Sequence, residues 1–294
     1  LTKAAQLMRQ RRDDLSGVII KESGKTWREA DADVCEAIDF CDYYARTAPR
    51  LFNRERLGKF IGELDETLYE PRGVAVVISP WNFPLAILAG MTTAALVTGN
   101  PVIMKPAEQT PGIAAILFDI LQDAMKESGV DRTLAQNILH FCPAPGESTG
   151  AAIVRDPRVA LIAFTGSRDV GLDIAHAAAP PSPFSSSSPP PSSSAFAFSH
   201  LKHVICEMGG KNAIIIDESA DLDEAVLGVR QSAFGFCGQK CSACSRVIVV
   251  GGNYELFLER LVGATKALVV GDPTNPGTDI GPVIDQAAAK KISE

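Results

Sequence analysis

The chain has no long apolar run, no basic run and no dinucleotide fingerprint, and each absence narrows its chemistry. No stretch reaches the roughly 20 consecutive apolar residues that a membrane-spanning helix needs, so no membrane partner is expected. No run of basic residues and no aromatic stacking platform appears, and the formal net charge is −7. Phosphate backbones repel a chain of that sign, which argues against nucleic acid as the main partner. Residues 1–14 are amphipathic and charged, unlike a secretory leader. Gly-x-Gly-x-x-Gly does not occur, so residue spacing alone gives only a weak dinucleotide signal. The 7 cysteines form no small-domain disulfide framework and read as reduced thiols inside a cell, with a cytoplasmic location expected. The chain opens without methionine and stops at Lys291-Ile292-Ser293-Glu294 with no closing element, so it is expected to be a fragment.

What is present is enough apolar material, 46% of 294 residues, for one or two domains. Apolar spacing over residues 1–20 gives one helical face, and a second helix is expected over 27–46, ended by Pro49. Residues 64–76 read as an extended arm. From Gly73 onward the rhythm is strand, turn, helix, repeated. Strands are expected over 74–78, 101–104, 138–142, 159–164, 203–206, 213–216 and 247–250. Helices are expected over 85–97, 111–127, 222–234 and 254–268, and after Ser167. This is a βαβ pattern with a parallel sheet. Ligands of such sheets bind beyond the carboxyl ends of the strands, which singles out the loops 79–84, 105–110 and 165–171. Residues 177–200, rich in Ser, Pro and Ala, cannot bury a continuous face and read as an irregular insert.

The stretch Gly238-Gln239-Lys240-Cys241-Ser242-Ala243-Cys244-Ser245 lies between an apolar helix and a buried strand, where a thiol can be aimed at a cleft. A nucleophilic thiol needs a base or a positive environment. The commoner fate of a free cysteine is burial as a small apolar residue. A rival reading is metal or cluster binding, because Cys237, Cys241 and Cys244 form C-x3-C-x2-C, the spacing of radical iron–sulfur enzymes. Against it, too little chain remains for a barrel, Ala243 stands where an aromatic is usual, and no fourth zinc ligand is near. The amide of Asn82 can donate to an oxyanion, or simply bond its own turn. Glu207 ends an apolar strand before Met-Gly-Gly and can serve as a base, or sit in solvent. Lys105 and Glu108 can hold ribose hydroxyls, the carboxylate favouring NAD over NADP by repelling a 2′-phosphate, or form a weak surface pair. Gly166 and Ser167 open a helix whose free N–H groups suit a phosphate.

In order, Ser-Pro-Trp-Asn-Phe-Pro, Lys-Pro-Ala-Glu-Gln-Thr-Pro, Phe-Thr-Gly-Ser, Glu-Met-Gly-Gly-Lys-Asn and Gly-Gln-Lys-Cys-Ser-Ala resemble the successive motifs of the aldehyde dehydrogenase superfamily. Gly-Gln-Lys-Cys-Ser-Ala-Cys-Ser and Cys-Asp-Tyr-Tyr-Ala at 41–45 are most similar to the L-glutamate γ-semialdehyde (1-pyrroline-5-carboxylate) dehydrogenases of proline catabolism. The resemblance implies an α/β fold: a Rossmann-like cofactor domain over 1–207 and the start of an α/β catalytic domain over 208–294. It implies NAD as cofactor, a small aldehyde as substrate, and homo-oligomers among full-length relatives. It makes Cys241 the nucleophile, Asn82 the oxyanion donor and Glu207 the base that hydrolyses the thioester. Ser79, Pro80, Trp81, Lys105, Glu108, Gly146, Gly166, Ser167 and Met208 match cofactor-contact positions, no metal is implied, and Cys244 is structural. The chain departs from the family in having no Glu-x-Phe-Gly-Pro motif, in Ala144 and Cys237, and in the Ser/Pro tract. An alternative reading is a non-catalytic nucleotide-binding or scaffold fragment of the same fold.

Overall fold

The computed structural model describes residues 1–179 and 201–294; most of the Ser/Pro tract lies outside the described residues. The described chain divides into two compact units, Leu1–Arg12 with Val34–Glu207, and Asp13–Asp33 with Met208–Glu294. The sequence rhythm groups residues 13–33 with their immediate chain neighbours; the structure packs them instead with the later chain, a tertiary preference that local pattern does not encode.

The N-terminal region carries α1 (Thr2–Gln10), α2 (Arg12–Ser23) and α3 (Trp27–Leu51). The single helix expected over 1–20 is broken at Arg11, which leaves helical geometry at φ −113° and ψ 18°. Asp13 and Asp14 then occupy the first turn of α2, where acidic side chains favour a fresh helix start. Pro49 does not end α3 but lies in its last turn; it forfeits one backbone bond there, and the helix stops at Leu51.

In the first unit, β1 (Glu55–Arg56) and β2 (Glu66–Thr67) make a short antiparallel hairpin, of which only β2 lies in the arm expected over 64–76. The main sheet is built from β3 (Val74–Ile78), β4 (Val102–Lys105), β5 (Leu139–Phe141), β6 (Val159–Thr165) and β7 (His203–Glu207). All its pairings are parallel, and the spatial order is β5-β4-β3-β6-β7. Its helices are α4 (Ala86–Val97), α5 (Pro111–Glu127), α6 (Arg132–Ile138), α7 (Ala151–Arg155) and α8 (Arg168–Ala178). The centre of β3 is buried, as parallel strands covered on both faces should be, with Ala75, Val76 and Val77 at most 1% exposed. Helix α4 packs on β3 and β4, α7 on β6 and α8 on β7. The short helices α6 and α7 have no expected counterpart; Asp131 caps α6, its Oδ1 accepting from the Leu134 N–H at 3.1 Å.

The second unit contains β8 (Asn212–Ile216), α9 (Leu222–Phe234), β9 (Cys244–Val249), α10 (Tyr254–Lys266) and α11 (Gln286–Ser293). β8 and β9 pair in parallel, and Ile216, Val226, Val229 and Phe257 form a core against the two longer helices. Asp221 caps α9 by accepting from the N–H groups of Asp223 and Glu224.

Candidate active site

Chain order in the first sheet runs from β3 outward through β4 to β5, then returns to the other side of β3 for β6 and β7. The reversal lies between β3 and β6, and a doubly wound sheet opens its ligand crevice at that point, beyond the strand carboxyl ends. Register places the functional candidates along this edge. Ile78 pairs with Lys105 on one side and Phe164 on the other, and Thr165 pairs with Glu207. Neighbouring strands are about 4.8 Å apart, so the loops beginning at Ser79, Lys105 and Gly166 leave the sheet side by side. Ser79, Pro80, Trp81 and Asn82 come directly after β3, and Glu207 ends β7. The Ser79 N–H donates to Lys105 O at 3.2 Å and the Gly166 N–H to Glu207 O at 3.0 Å, stitching the edge together.

Lys105, expected at the start of a loop, is the last residue of β4. Its side chain is only 6% exposed and its Nζ stands 3.6 Å from Glu108 Oε1, while also donating to Pro106 O at 3.1 Å. Glu108 Oε1 in turn accepts from the Gly146 N–H at 2.6 Å. Gly146 opens one turn of π-helix, Gly146–Gly150, that leads into α7. A lysine and a glutamate from the end of β4 and a glycine from a second loop thus form one polar corner. Ser79 is 5% exposed, and its Oγ has no hydrogen-bond partner among the described residues. A buried hydroxyl left this way is costly unless something else supplies the bond, and it belongs to the edge where a dinucleotide would lie. Together with the polar corner it gives the edge the donors and acceptors a dinucleotide needs.

At the end of β6, a Cβ on Gly166 would come within 2.6 Å of the Phe164 ring. Ser167 caps α8, its Oγ accepting from the Val170 N–H at 3.4 Å. Gly166→Ala must push a ring that is 4% exposed, an overpacking that costs about 1–3 kcal/mol. Thermal unfolding should show a lower midpoint for this variant, and an unchanged midpoint would contradict the packing argument.

The second unit carries Cys241 and the half-buried Met208. Cys241 is exposed and lies in a turn closed by the Ala243 N–H donating to Lys240 O at 3.2 Å. Asn212, at the start of β8, donates through Nδ2 to Cys241 O at 2.8 Å. Sequence reasoning misses this contact, for which the only clue is an amide directly after Gly-Gly-Lys. Cys244 is buried; its N–H donates to Ser232 Oγ at 3.2 Å and its thiol to Arg246 O at 3.1 Å. The Cys237 thiol donates to Gly281 O at 3.2 Å, and burial, then the Glu29 carboxylate, push that thiol up from its ordinary pKa. Among the described residues no group of three or more His, Cys, Asp or Glu is placed to hold a metal ion.

The segment before Cys241 is unusual. Phe236 (φ 51°, ψ 40°) and Cys237 (φ 56°, ψ 23°) are both left-handed within the 3-10 turn Gly235–Gly238, and Gly238 comes next at φ 69°. Left-handed backbone costs a residue with a Cβ about 1–2 kcal/mol, so the surrounding structure must impose this path.

Comparison with known proteins gives the family of the chain. The sequence profile described as the aldehyde dehydrogenase family matches residues 1–294. The chain belongs to the aldehyde dehydrogenase family. A 1-pyrroline-5-carboxylate dehydrogenase of Geobacillus thermodenitrificans is 47% identical over 294 residues, which are 100% of this chain and 53% of that protein. A 1-pyrroline-5-carboxylate dehydrogenase from Thermus, solved with bound NAD, superposes with a TM-score of 0.85 at 41% identity, covering 99% of this chain and 52% of the other. Proline utilization A from Bdellovibrio bacteriovorus, inactivated by N-propargylglycine, superposes with a TM-score of 0.89 at 47% identity, covering 99% of this chain and 28% of the other. This aldehyde dehydrogenase chain therefore spans about half of the Geobacillus protein. Among the described residues, no helix is long and apolar enough to cross a membrane.

Proposed function

We propose that the protein oxidises an aldehyde to a carboxylate with NAD as cofactor, and that the aldehyde is L-glutamate γ-semialdehyde, in proline catabolism. The single observation that carries the reading is the carboxyl edge of the five-stranded sheet, where the sequence-predicted cofactor loops leave adjacent strands at the switch point. The names of the relatives support the substrate, and the bound NAD of the Thermus protein supports the cofactor.

Each residue then has a role. Ser79, Pro80, Trp81, Gly166, Ser167 and Met208 line the cofactor, with Lys105, Glu108 and Gly146 at its ribose. The Cys241 thiolate attacks the carbonyl carbon, forming a C–S bond and moving the carbonyl electrons onto oxygen. The Asn82 amide donates to that oxyanion, a group worth orders of magnitude when it acts in the transition state. When bound, NAD supplies the acceptor for the hydride that leaves the thiohemiacetal carbon. Glu207 takes a proton from water, which attacks the remaining thioester; the C–S bond breaks and the thiol regains its proton. Glu108, holding the Gly146 N–H at 2.6 Å, repels a 2′-phosphate and so sets NAD above NADP.

The test is an absorbance assay of NADH formation by the full-length protein with L-glutamate γ-semialdehyde. A stoichiometric burst and then steady turnover are expected, with kcat/KM at least about tenfold higher for NAD than NADP, since one misplaced phosphate charge easily costs about 1.4 kcal/mol. No NADH with this or related aldehydes would overturn the proposal. A second reading, nucleotide binding without turnover, is favoured for these 294 residues alone because they span 53% of a matching relative. Calorimetric NAD binding by the chain without NADH formation would support it.

A further inference from the structure

The left-handed turn ahead of Cys241 is clamped from two sides, both within the second unit. On one side Lys25 and Asp33 form an ion pair of 2.8 Å with side chains 2% and 0% exposed. The Lys25 Nζ lies 5.2 Å from the centre of the Phe236 ring, within cation–π range, and Phe236 is itself 2% exposed. On the other side the Cys237 thiol donates to Gly281 O, and the Ile284 N–H donates to Gln239 Oε1 at 3.0 Å. Gln239 returns to the turn, its backbone N–H donating to Phe236 O at 3.0 Å and its Nε2 to the same oxygen at 3.2 Å. The two clamps meet: a Cβ on Gly281 would overlap Gly24 O, and one on Gly24 would come within 2.9 Å of Pro282. Buried ion pairs of this kind are poor stabilisers compared with apolar side chains of the same volume. Non-glycine residues with positive φ persist only where surrounding structure over-determines them, and they gather at functional sites. Both costly features converge on residues 236–239, directly before the thiol.

We propose that Lys25 and Asp33 are positioning residues: through Phe236 they hold residues 236–238 left-handed and so fix where the Cys241 backbone emerges. The inference rests on the reading of Cys241 as nucleophile. The Gly24-Lys25-Thr26 stretch, which the sequence shows only as a helix break, is then one wall of the nucleophile's seat. Asn212 holds the far end of the same seat through Cys241 O.

The test compares Cys237→Gly with Cys237→Val, and Lys25→Met with Lys25→Arg, in the full-length protein. Glycine takes positive φ freely and needs no clamp, whereas a β-branched residue resists it. Two readouts are taken: the NADH burst rate with its KM values, and the rate at which iodoacetamide labels Cys241, monitored by peptide mass. Burial holds the Cys41 thiol up at about 12, so Cys41 serves as the unreactive control. For Cys237→Val and Lys25→Met the expected result is a burst rate and a labelling rate changed by about tenfold or more, the scale at which small misplacements act. KM for NAD should stay within about twofold. Cys237→Gly should match the parent, and Lys25→Arg should recover most of the rate. Equal rates for the Cys237→Val and Cys237→Gly proteins, or equal losses, would overturn the proposal, even if Lys25→Met fails to fold. If the parent makes no NADH, the labelling rates still decide the positioning claim separately from the function.

Discussion

Cys241→Ala is expected to abolish NADH formation, lowering kcat by about 10⁴-fold or more, the scale seen when a covalent nucleophile is removed. Four other thiols of the chain are not suited to replace it. Cys244 is buried, burial pushes the Cys206 and Cys237 thiols up, and the Cys41 thiol reaches about 12. Burial thus favours the protonated, unreactive form of the Cys41, Cys206 and Cys237 thiols. The proposed cofactor edge belongs to the first unit, so the alanine variant should still bind NAD by calorimetry with little change. A surviving burst in Cys241→Ala would remove this residue from the mechanism. Loss of NAD binding along with the burst would mean the substitution acts on folding and not on chemistry.

Glu207→Gln is expected to separate the two halves of the reaction. The glutamine keeps the size of the side chain and leaves intact the backbone bond from Gly166 N–H to Glu207 O at 3.0 Å. Attack by Cys241 does not need the carboxylate, so one equivalent of NADH should still appear in the burst. Hydrolysis does need a base, and steady-state turnover should fall by about 10²–10⁴-fold, the usual contribution of general-base catalysis. Rapid mixing and intact-mass measurement should find the acyl group accumulated on Cys241. Equal slowing of burst and steady state would show that Glu207 is not specific to the second half.

Much of the first unit is legible in the sequence because its signal is local. Val74–Ile78 and Val159–Thr165 are largely apolar runs, and Pro111 at the start of α5 is a standard helix opening. Ser79, Lys105, Gly166 and Glu207 stand out because they close such runs or come just after them, and strand ends are where α/β chemistry sits. What the sequence conceals depends on contacts between distant segments. Asp13–Asp33 looks like part of the region it adjoins, and only its packing assigns it to the second unit. Lys25 looks like a surface lysine next to a glycine, and nothing local marks it as 1% exposed. The left-handed Phe236 and Cys237 are likewise invisible, since neither residue type favours positive φ and neighbours impose it. Pro49 misleads for the opposite reason: a proline in the last turn costs only one bond, which α3 absorbs.

The reversal of strand order between β3 and β6 has a thermodynamic corollary. The crevice at that edge exists only when two segments far apart in the chain lie in register, so an unfolded chain offers no such edge. A nucleotide bound there engages the folded form alone, and at a hundred times its dissociation constant it would add about 2.7 kcal/mol to the unfolding free energy. Cofactor supply would then govern the protein's lifetime as well as its turnover.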